Sequence, residues 1–442
     1  MVNLSLRGMQ FLFAIIINFI LVQLVPDEEA EAIAVTLIMI ALNIQIIFGV
    51  IGTYILNRIN SRRKEMSIVD PEPFLYLVFL LSIIMLMYFI LTEQNWFSSV
   101  ISVALAQGNF QLINSYYGVK KSIRKSLILG NAVYFIFLLL LLVSAIVSTL
   151  TAKIWLSTFA LANVFGAYLI IKALFKTTRI SLQLAKKFIV QRSVYIHGTG
   201  HMILSVIGWF CFLYIRTFFS ESNTVEYVDF LKVGIFISLL VGASELLFNT
   251  IFLTKVLRNP DDASGFVRYA DALCLMLIGV NIMMIVTFPI LSNYYFSISK
   301  ASLATAFGIL LCIENTKVIF NIVINNSARK FEYRKIISVS FILVLTTSLL
   351  SLTNQLLYIG IVLVLISIIT GTIVFKQGSL SMSGIFTFTL LNIFVLSYFQ
   401  IFINELSMAI LIVLGVLIIG FTIKILQKVN ASDLIREFLK YD

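Results

Sequence analysis

The residues of this sequence that are best suited to binding chemistry lie inside its most apolar stretches. Four polar residues occur in one such stretch at spacings of three and four, which places them on one helical face: Glu314, Lys317, Asn321 and Asn325. Ionisable groups at membrane depth normally face a bundle interior or a water-filled cavity. This face is therefore predicted to bind a substrate or a coupling ion. The alternative is a structural Glu314–Lys317 pair whose charges neutralise each other.

A second carboxylate, Glu245, has Gly242 and Asn249 at spacings of three and four in another apolar stretch. No charged residue lies within one helical turn of it in the sequence. We expect the Glu245 carboxyl group to be either protonated or paired with a residue of another helix, such as Lys317. Glu245 and Glu314 are therefore the candidates for coupling to protons or sodium ions.

Amide side chains follow a similar pattern in residues 97–118. Gln107, Gln111 and Asn114 lie at i, i+4 and i+7, and Tyr117 follows one turn later. Such a face predicts the wall of a polar cavity. Amides also join transmembrane helices through hydrogen bonds, so a purely structural role is the alternative.

Basic residues near the ends of apolar stretches are candidate contacts for a phosphate. They are Lys232, Arg58, Lys120, Lys121 and Arg124. Lys232 also fits a side chain that extends from a span to the interface. The other four are also explained by the excess of Lys and Arg in cytoplasmic loops.

Composition indicates where these residues must reside. Hydrophobic residues make up 60% of the chain and charged residues 12%, whereas a soluble domain is about 25% charged. The mean hydropathy is +1.03. This composition predicts a polytopic α-helical membrane protein. The net charge of +11 is attributed to contact of the loops with anionic headgroups, and no nucleic-acid partner is expected.

Apolar runs long enough to cross about 30 Å of hydrocarbon recur along the whole chain. About fourteen spans are predicted, with about twelve as the alternative count. Their predicted bounds are residues 8–25, 30–56, 74–91, 97–118, 126–148, 154–174, 194–215, 231–254, 269–291, 302–323, 336–352, 356–375, 384–404 and 407–427. Most of the 32 Lys and Arg residues fall in alternate loops, which predicts that both termini lie in the cytoplasm.

Signatures of covalent chemistry are missing from the sequence. It contains no Walker A loop, no G-x-S-x-G elbow and no metal-spaced Cys/His set, and its loops are short. His197 and His201 share a face, but they are interpreted as interfacial residues because no third ligand is nearby. Asp271 lies near the inner end of its span and is expected to reach solvent. We therefore expect no enzyme activity, no resident cofactor and no metal.

The chain is predicted to contain two related lobes of about six helices each around a central cavity. Residues 1–175 form the first lobe, 176–193 a cytoplasmic amphipathic linker, 194–375 the second lobe, and 376–442 a terminal helix pair with a tail. Each lobe begins with an apolar span, an acidic loop, a glycine-bearing span and a basic exit. Duplicated lobes of this kind are typical of alternating-access transporters.

This organisation resembles the multidrug/oligosaccharidyl-lipid/polysaccharide flippase superfamily, and most closely its bacterial Wzx-type flippases for O-antigen and capsule units. The residues that carry the resemblance are the glycine-bearing second span, the Lys120–Lys125 exit, and the opening Arg7-Gly8-Met9-Gln10-Phe11-Leu12. The resemblance implies movement of an undecaprenyl-pyrophosphate-linked oligosaccharide to the outer leaflet. It also implies an H⁺ or Na⁺ gradient as a possible driving force, with a polysaccharide polymerase and a chain-length regulator as candidate partners.

Two other functions remain open at this point. A cation-coupled exporter of drugs or metabolites would share the fold but would normally have about twelve helices. A membrane-embedded polysaccharide polymerase or ligase would usually carry a larger external loop with catalytic residues. The terminal helix pair and the short loops favour the flippase over both.

Overall fold

The structure is a computed structural model. It describes residues 2–26, most positions between 28 and 40, 71–92, 96–120, 122–174, 182–189, 206–207, most positions between 233 and 245, 263–295, 300–330, 356–376, 381–399 and 408–429. Within these residues the chain is helical apart from caps and short turns, and none of them forms a strand.

The described α-helices divide between two compact units, Met1–Val206 with Asp442, and Ile207–Tyr441. Unit 1 contains α1 (Val2–Leu24), α2 (Glu72–Leu91), α3 (Trp96–Lys120), α4 (Ile123–Val147), α5 (Ala152–Leu174) and α6 (Leu182–Ile189). Unit 2 contains α7 (Ala263–Ile290), α8 (Lys300–Lys330), α9 (Leu356–Lys376), α10 (Met382–Tyr398) and α11 (Met408–Val429). The described positions between 233 and 245 are also helical and are called segment 233–245. The finer division into lobes, linker and terminal pair remains a prediction.

Four of the described helices, α2, α4, α5 and α7, are long and apolar enough to cross a membrane, and shorter apolar stretches lie in α1, α10 and α11. Large apolar side chains are also exposed on these helices, with Leu91 82%, Ile146 85% and Val286 68% accessible. Exposed apolar faces of this size are stable against lipid and unfavourable in water. The protein is therefore a helical membrane protein, as its composition predicts. The total number of spans remains a prediction.

Local sequence signals explain several helix ends. The Ser122 side chain accepts a hydrogen bond from the Lys125 backbone N–H (3.4 Å) and caps α4. Ser381 caps α10 in the same way by accepting from Gly384 N–H (3.0 Å). Pro289 lies in the last turn of α7, where its ring removes a backbone donor, and the chain continues as a π-helical turn at Leu291–Tyr295.

Helices α2 and α3 form an antiparallel pair in unit 1. The Tyr116 hydroxyl donates to Glu72 Oε1 (3.1 Å), and the Ser102 hydroxyl donates to the Met85 carbonyl (2.9 Å). Because one partner's number rises as the other's falls, the two helices run in opposite directions. These directions agree with the predicted alternation of spans.

Helices α1 and α4 run parallel. Asn131 Nδ2 donates to the Leu6 carbonyl (2.8 Å), and the rings of Phe13 and Phe135 lie 6.2 Å apart. Two odd-numbered predicted spans should have the same direction, and these two do.

Gly166 permits a close approach of α5 to two neighbouring helices. A Cβ atom at this position would overlap Val133 of α4 and would lie 2.8 Å from the Phe110 ring of α3. Small residues at such crossings let backbones approach closely, which provides van der Waals attraction in lipid. Nearby, the Phe137 ring packs edge-on against Phe159 at 5.0 Å. The residue at position 166 therefore sets the packing distance in the middle of unit 1.

The Gly166→Ala variant should be less stable to heat in detergent than the unmodified protein, because overpacking costs about 1–3 kcal/mol. Gly279→Ala is the matched control, since a Cβ atom there meets nothing within 4 Å. The control should be neutral or slightly stabilising, because alanine favours helix by about 1 kcal/mol over glycine. Equal melting temperatures for the two variants would contradict the close packing at Gly166.

One end of unit 1 is held together by polar contacts from three segments. Glu29 Oε2 accepts a hydrogen bond from the backbone N–H of Ala152 (2.5 Å), the first residue of α5. Next to it, Lys153 Nζ donates to the Thr92 carbonyl (3.1 Å) after α2. A carboxylate at a helix N-terminus is stabilised by the unpaired N–H groups and by the helix dipole. The predicted external loops at Glu29, Thr92 and Lys153 thus lie at one end of the unit.

Glu29→Gln should lower the stability of the protein by about 0.5–1 kcal/mol, because it removes the negative charge at the N-terminus of α5. Glu28→Gln is the control, since Glu28 is exposed. Thermal unfolding of the two variants in the same detergent measures the difference. If Glu28→Gln had the larger effect, the contact between Glu29 and α5 would not contribute as described.

Helices α7 and α10 run parallel in unit 2. The Asp271 carboxylate accepts from the Ser381 hydroxyl (2.8 Å), and the Cys274 thiol lies 4.0 Å from the Gly384 carbonyl. In each pair the two residues are 110 positions apart in the chain, so the two helices run in the same direction with a constant offset.

The last three helices pack against one another in chain order. Gly371 of α9 packs against Ile385 of α10, and the Phe386 ring of α10 stacks on Phe421 of α11 at 5.3 Å. Helix α8 lies in the interior of unit 2, as shown by the burial of all its residues from Ala306 to Ile319.

Candidate functional site

The polar face of α8 lies in the interior of unit 2. Glu314 is fully buried and Lys317 is 8% exposed, while Leu310 and Ile313 beside them are also fully buried. Removing a charge from water costs several kcal/mol unless an opposite charge and hydrogen bonds compensate it. The partners of these two charges therefore define the site.

Glu314 and Lys317 form an ion pair across one turn of α8. The Ser238 hydroxyl of segment 233–245 donates to the other oxygen of the same carboxylate, Glu314 Oε1. The structural pairing considered as an alternative in the sequence is thus present. The pair is also joined to a second helical segment, which a self-contained pair would not require.

Glu245 contacts the same face of α8 further along. It is 8% exposed, and its Oε1 atom accepts a hydrogen bond from Asn321 Nδ2 at 3.0 Å. The sequence predicts either a protonated carboxyl group or a partner from another helix, such as Lys317. The observed hydrogen bond joins two predicted site residues, Glu245 and Asn321, one turn beyond Lys317.

Segment 233–245 and α8 run parallel and in register. Three contacts join residues of the two elements, each with a separation of 76 positions in the chain. The pairs are Gly234 with Leu310, Ser238 with Glu314, and Glu245 with Asn321. Ser238 and Glu245 are seven residues apart, as are Glu314 and Asn321, so each element presents one face to the other. We call the contact formed by Ser238, Glu245, Glu314, Lys317 and Asn321 the charged interface.

The candidates in unit 1 do not form a comparable cluster. Gln111 is exposed, Gln107 and Asn114 are half-buried, and Tyr117 is buried. Asn114 lies against α4, where its backbone carbonyl accepts from Ser126 Oγ (3.1 Å). This contact uses the backbone and not the side-chain amide, so both roles considered for the amides of α3, cavity wall and helix joining, remain predictions.

Of the basic candidates, Arg124 is exposed at the start of α4, and Lys120 is described only as the last residue of α3. The remaining candidates fall outside the described residues: Arg58, Lys121, Lys232, Asn249, His197 and His201. The side chain of Asn325 is outside them as well. The interfacial position of the two histidines, and the roles of the others as phosphate or cavity contacts, therefore remain predictions.

The expectation that Asp271 reaches solvent is wrong. Asp271 is fully buried in α7, and its Oδ1 atom accepts from both the hydroxyl (2.8 Å) and the backbone N–H (3.2 Å) of Ser381. The N-terminus of α10 covers the carboxylate. The position of Asp271 near a span end indicated its height in the membrane but not which neighbouring helix would cover it.

Sequence reasoning also missed a group of three buried asparagines, one on each of three helices. Asn281, Asn315 and Asn392 are fully buried, and Asn315 is hydrogen-bonded to both of the others. Each is a single polar residue on its face of an apolar helix, so no periodic pattern identifies it. The available signal was an amide in the middle of an apolar span, which usually faces another helix.

Among the described residues there is no group of three or more His, Cys, Asp or Glu side chains that could hold a metal ion. The site and fold therefore define a helical membrane protein with a charged interface buried in its second unit. No protein-family model, curated protein or solved structure matches the chain.

Asp271→Ala should destabilise the protein by about 1–2 kcal/mol, because it leaves both Ser381 donors without their acceptor at the start of α10. Asp271→Asn should lose less, since its amide oxygen can still accept one of these hydrogen bonds. Thermal unfolding in detergent measures both variants. An alanine variant as stable as the unmodified protein would contradict the described contact.

Proposed function

We propose that this protein is a flippase of the bacterial inner membrane. It moves an undecaprenyl-pyrophosphate-linked oligosaccharide repeat unit from the cytoplasmic to the outer leaflet by alternating access. The single observation that carries the proposal is the charged interface buried in unit 2. Buried ionisable groups in membrane proteins are costly, and they commonly serve substrate or ion pathways.

The chemistry of the cargo matches what such an interface can provide. The lipid tail can remain in the bilayer, whereas sugars and pyrophosphate need hydrogen-bond donors and a cation along their path. Lys317 supplies a cation, and Asn321 supplies an amide one turn away on the same face of α8. In unit 1, the exposed Gln111 and half-buried Gln107 are the candidate sugar contacts.

Coupling to an H⁺ or Na⁺ gradient is assigned to Glu245 and Glu314. Protonation of Glu314 would remove the charge that holds Lys317, which would free the ammonium group for a phosphate. Binding of a proton or sodium ion at Glu245 would compete with the Asn321 hydrogen bond. Either event weakens the contact between α8 and segment 233–245, so ion binding and movement are linked.

The proposed topology places both termini in the cytoplasm and gives the complete chain about fourteen spans. A polysaccharide polymerase and a chain-length regulator on the outer side are the proposed partners, because they would consume the flipped unit. The protein itself is proposed to transport without enzymatic chemistry.

Lys317→Ala and Glu245→Ala should each abolish surface polysaccharide in cells whose only copy of the protein carries the variant. Lipid-linked repeat units should accumulate in the inner leaflet, because the cargo is made but not moved. Extraction of the lipid-linked units, with immunoblotting for membrane insertion, measures both effects. Lys317→Arg should restore part of the activity, since it retains the positive charge.

Two exposed residues provide matched controls: Lys424→Ala and Glu28→Ala remove the same charges outside the interface and should leave polysaccharide normal. Normal polysaccharide in both Lys317→Ala and Glu245→Ala would contradict the proposal. If those two variants instead sensitised cells to cationic drugs, the chain would be an exporter. Accumulation of unpolymerised units on the outer leaflet would indicate a polymerase.

A further inference from the structure

A second polar contact holds α8 on the side of unit 2 formed by α7 and α10. Asn281 Nδ2 of α7 donates to Asn315 Oδ1 of α8 (2.9 Å), and Asn315 Nδ2 donates back to Asn281 Oδ1 (3.1 Å). Asn315 Nδ2 also donates to Asn392 Oδ1 of α10 (3.0 Å). We call Asn281, Asn315 and Asn392 the amide triad. It joins three helices at one level of the unit.

The N–H groups of Asn281 and Asn315 all have acceptors in α7, α8 or α10. Asn315 uses both N–H groups within the triad, and Asn281 uses its second one on the Leu277 carbonyl of its own helix (2.7 Å). Cys312 adds a thiol contact from α8 to the Asn392 carbonyl at 3.5 Å. An amide does not titrate at physiological pH, so neither a proton gradient nor a bound ion changes the charge of these contacts.

Two further contacts hold the same helices at other levels. Asp271 of α7 binds Ser381 at the start of α10. Toward the other end, the Phe288 ring of α7 lies 5.4 Å from Phe307 of α8 and 5.1 Å from Phe399, just after α10. Positions 271, 281 and 288 of α7 are thus each tied to α10 or its end. At a rise of about 1.5 Å per residue, these contacts extend over about 25 Å of α7.

The two sides of α8 therefore differ in how they can respond to ions. The amide triad is neutral, whereas the charged interface contains two carboxylates and an ammonium group. Only contacts whose free energy changes with protonation or ion binding can be shifted by a gradient. Movement of α8 driven by ions is then expected on the side of segment 233–245, whereas the Asp271 carboxylate belongs to the contact of α7 with α10.

We infer that α7, α8 and α10 move as one rigid block during transport, and that Asn315 is the positioning residue that fixes α8 and its Glu314–Lys317 pair in that block. The contact that changes is the charged interface with segment 233–245. The moving half of this inference rests on the proposed function, whereas the rigid half does not.

Cross-linking tests the two contacts against each other in a chain whose three cysteines are replaced by serine. Asp271→Cys with Ser381→Cys links α7 to α10, since these side chains already meet. Gly234→Cys with Leu310→Cys links segment 233–245 to α8, where a Cβ at 234 would lie 3.7 Å from Leu310. Each variant is compared with its own reduced form in vesicles that contain the lipid-linked oligosaccharide.

The first cross-link should leave the transport rate within about twofold, and the second should lower it at least about tenfold, with recovery on reduction. If the cross-link between positions 271 and 381 lowered the transport rate as much as the cross-link between positions 234 and 310, the inference of a rigid block would be overturned. Full transport with the second cross-link would overturn the assignment of the moving contact. If the reduced proteins moved no lipid-linked oligosaccharide at all, the proposed function would be wrong. Thiol labelling, which does not require transport, would then test the rigid block by itself.

Thiol labelling uses Cys312 as a native reporter, because it is fully buried between α8 and α10. With Cys211 and Cys274 replaced by serine, N-ethylmaleimide should react slowly with Cys312, and equally slowly in Lys317→Ala. Asn315→Leu should speed the reaction about tenfold, because it removes the hydrogen bonds that hold the block closed. Asn163→Leu, a buried asparagine bonded to its own helix, is the control and should have no effect.

Equal labelling rates in Asn315→Leu and the unmodified chain would overturn the role of Asn315. Faster labelling in Lys317→Ala than in Asn315→Leu would overturn the division between a rigid and a moving side. If Asn315→Leu does not fold, Asn392→Leu replaces it, since it removes one acceptor and leaves the Asn281–Asn315 pair intact.

Discussion

The structure of unit 2 depends on one ion pair, that of Glu314 and Lys317, in a part of α8 where every residue from Ala306 to Ile319 is buried. Two charges in such a place are unfavourable by several kcal/mol each without partners. The pair therefore requires the Ser238 hydroxyl, which requires segment 233–245 to lie parallel to α8 in a fixed register. The same register brings Glu245 to Asn321. One electrostatic constraint thus accounts for the direction, height and rotation of two helical elements.

Helix α8 meets this constraint by dividing its polar residues between two faces. Glu314 and Lys317 belong to the charged interface with segment 233–245, while Asn315 contacts α7 and α10 through neutral amides. Unit 1 is built differently in its described part. Its helices approach closely at Gly166 and are joined by single hydrogen bonds, such as that from Tyr116 to Glu72. Among the described residues, the ion pair of Glu314 and Lys317 lies in unit 2, whereas the buried Glu72 of unit 1 accepts from a neutral hydroxyl.

The sequence predicted those features that depend on spacing within one helix. Apolar run length identified α2, α4, α5 and α7 as membrane-length helices, and the spacing of Glu314, Lys317 and Asn321 placed them on one face. The pairing of Glu245 with Asn321 could not be read this way, because it depends on the register between helices 76 positions apart in the chain. The amide triad was missed for the same reason. The prediction that Asp271 reaches solvent was wrong, because only the tertiary fold places the N-terminus of α10 over its carboxylate.

The central claim is that the charged interface moves a lipid-linked oligosaccharide. Its most direct test is a reconstituted assay, in which purified protein is placed in vesicles that contain an undecaprenyl-pyrophosphate-linked oligosaccharide. A membrane-impermeant glycosidase outside the vesicles then measures how much inner-leaflet substrate becomes accessible with time. Unmodified protein should expose the inner-leaflet pool, and Lys317→Ala protein, incorporated to the same density, should leave it protected. Equal exposure in vesicles with unmodified protein, with Lys317→Ala protein and with no protein would contradict the account.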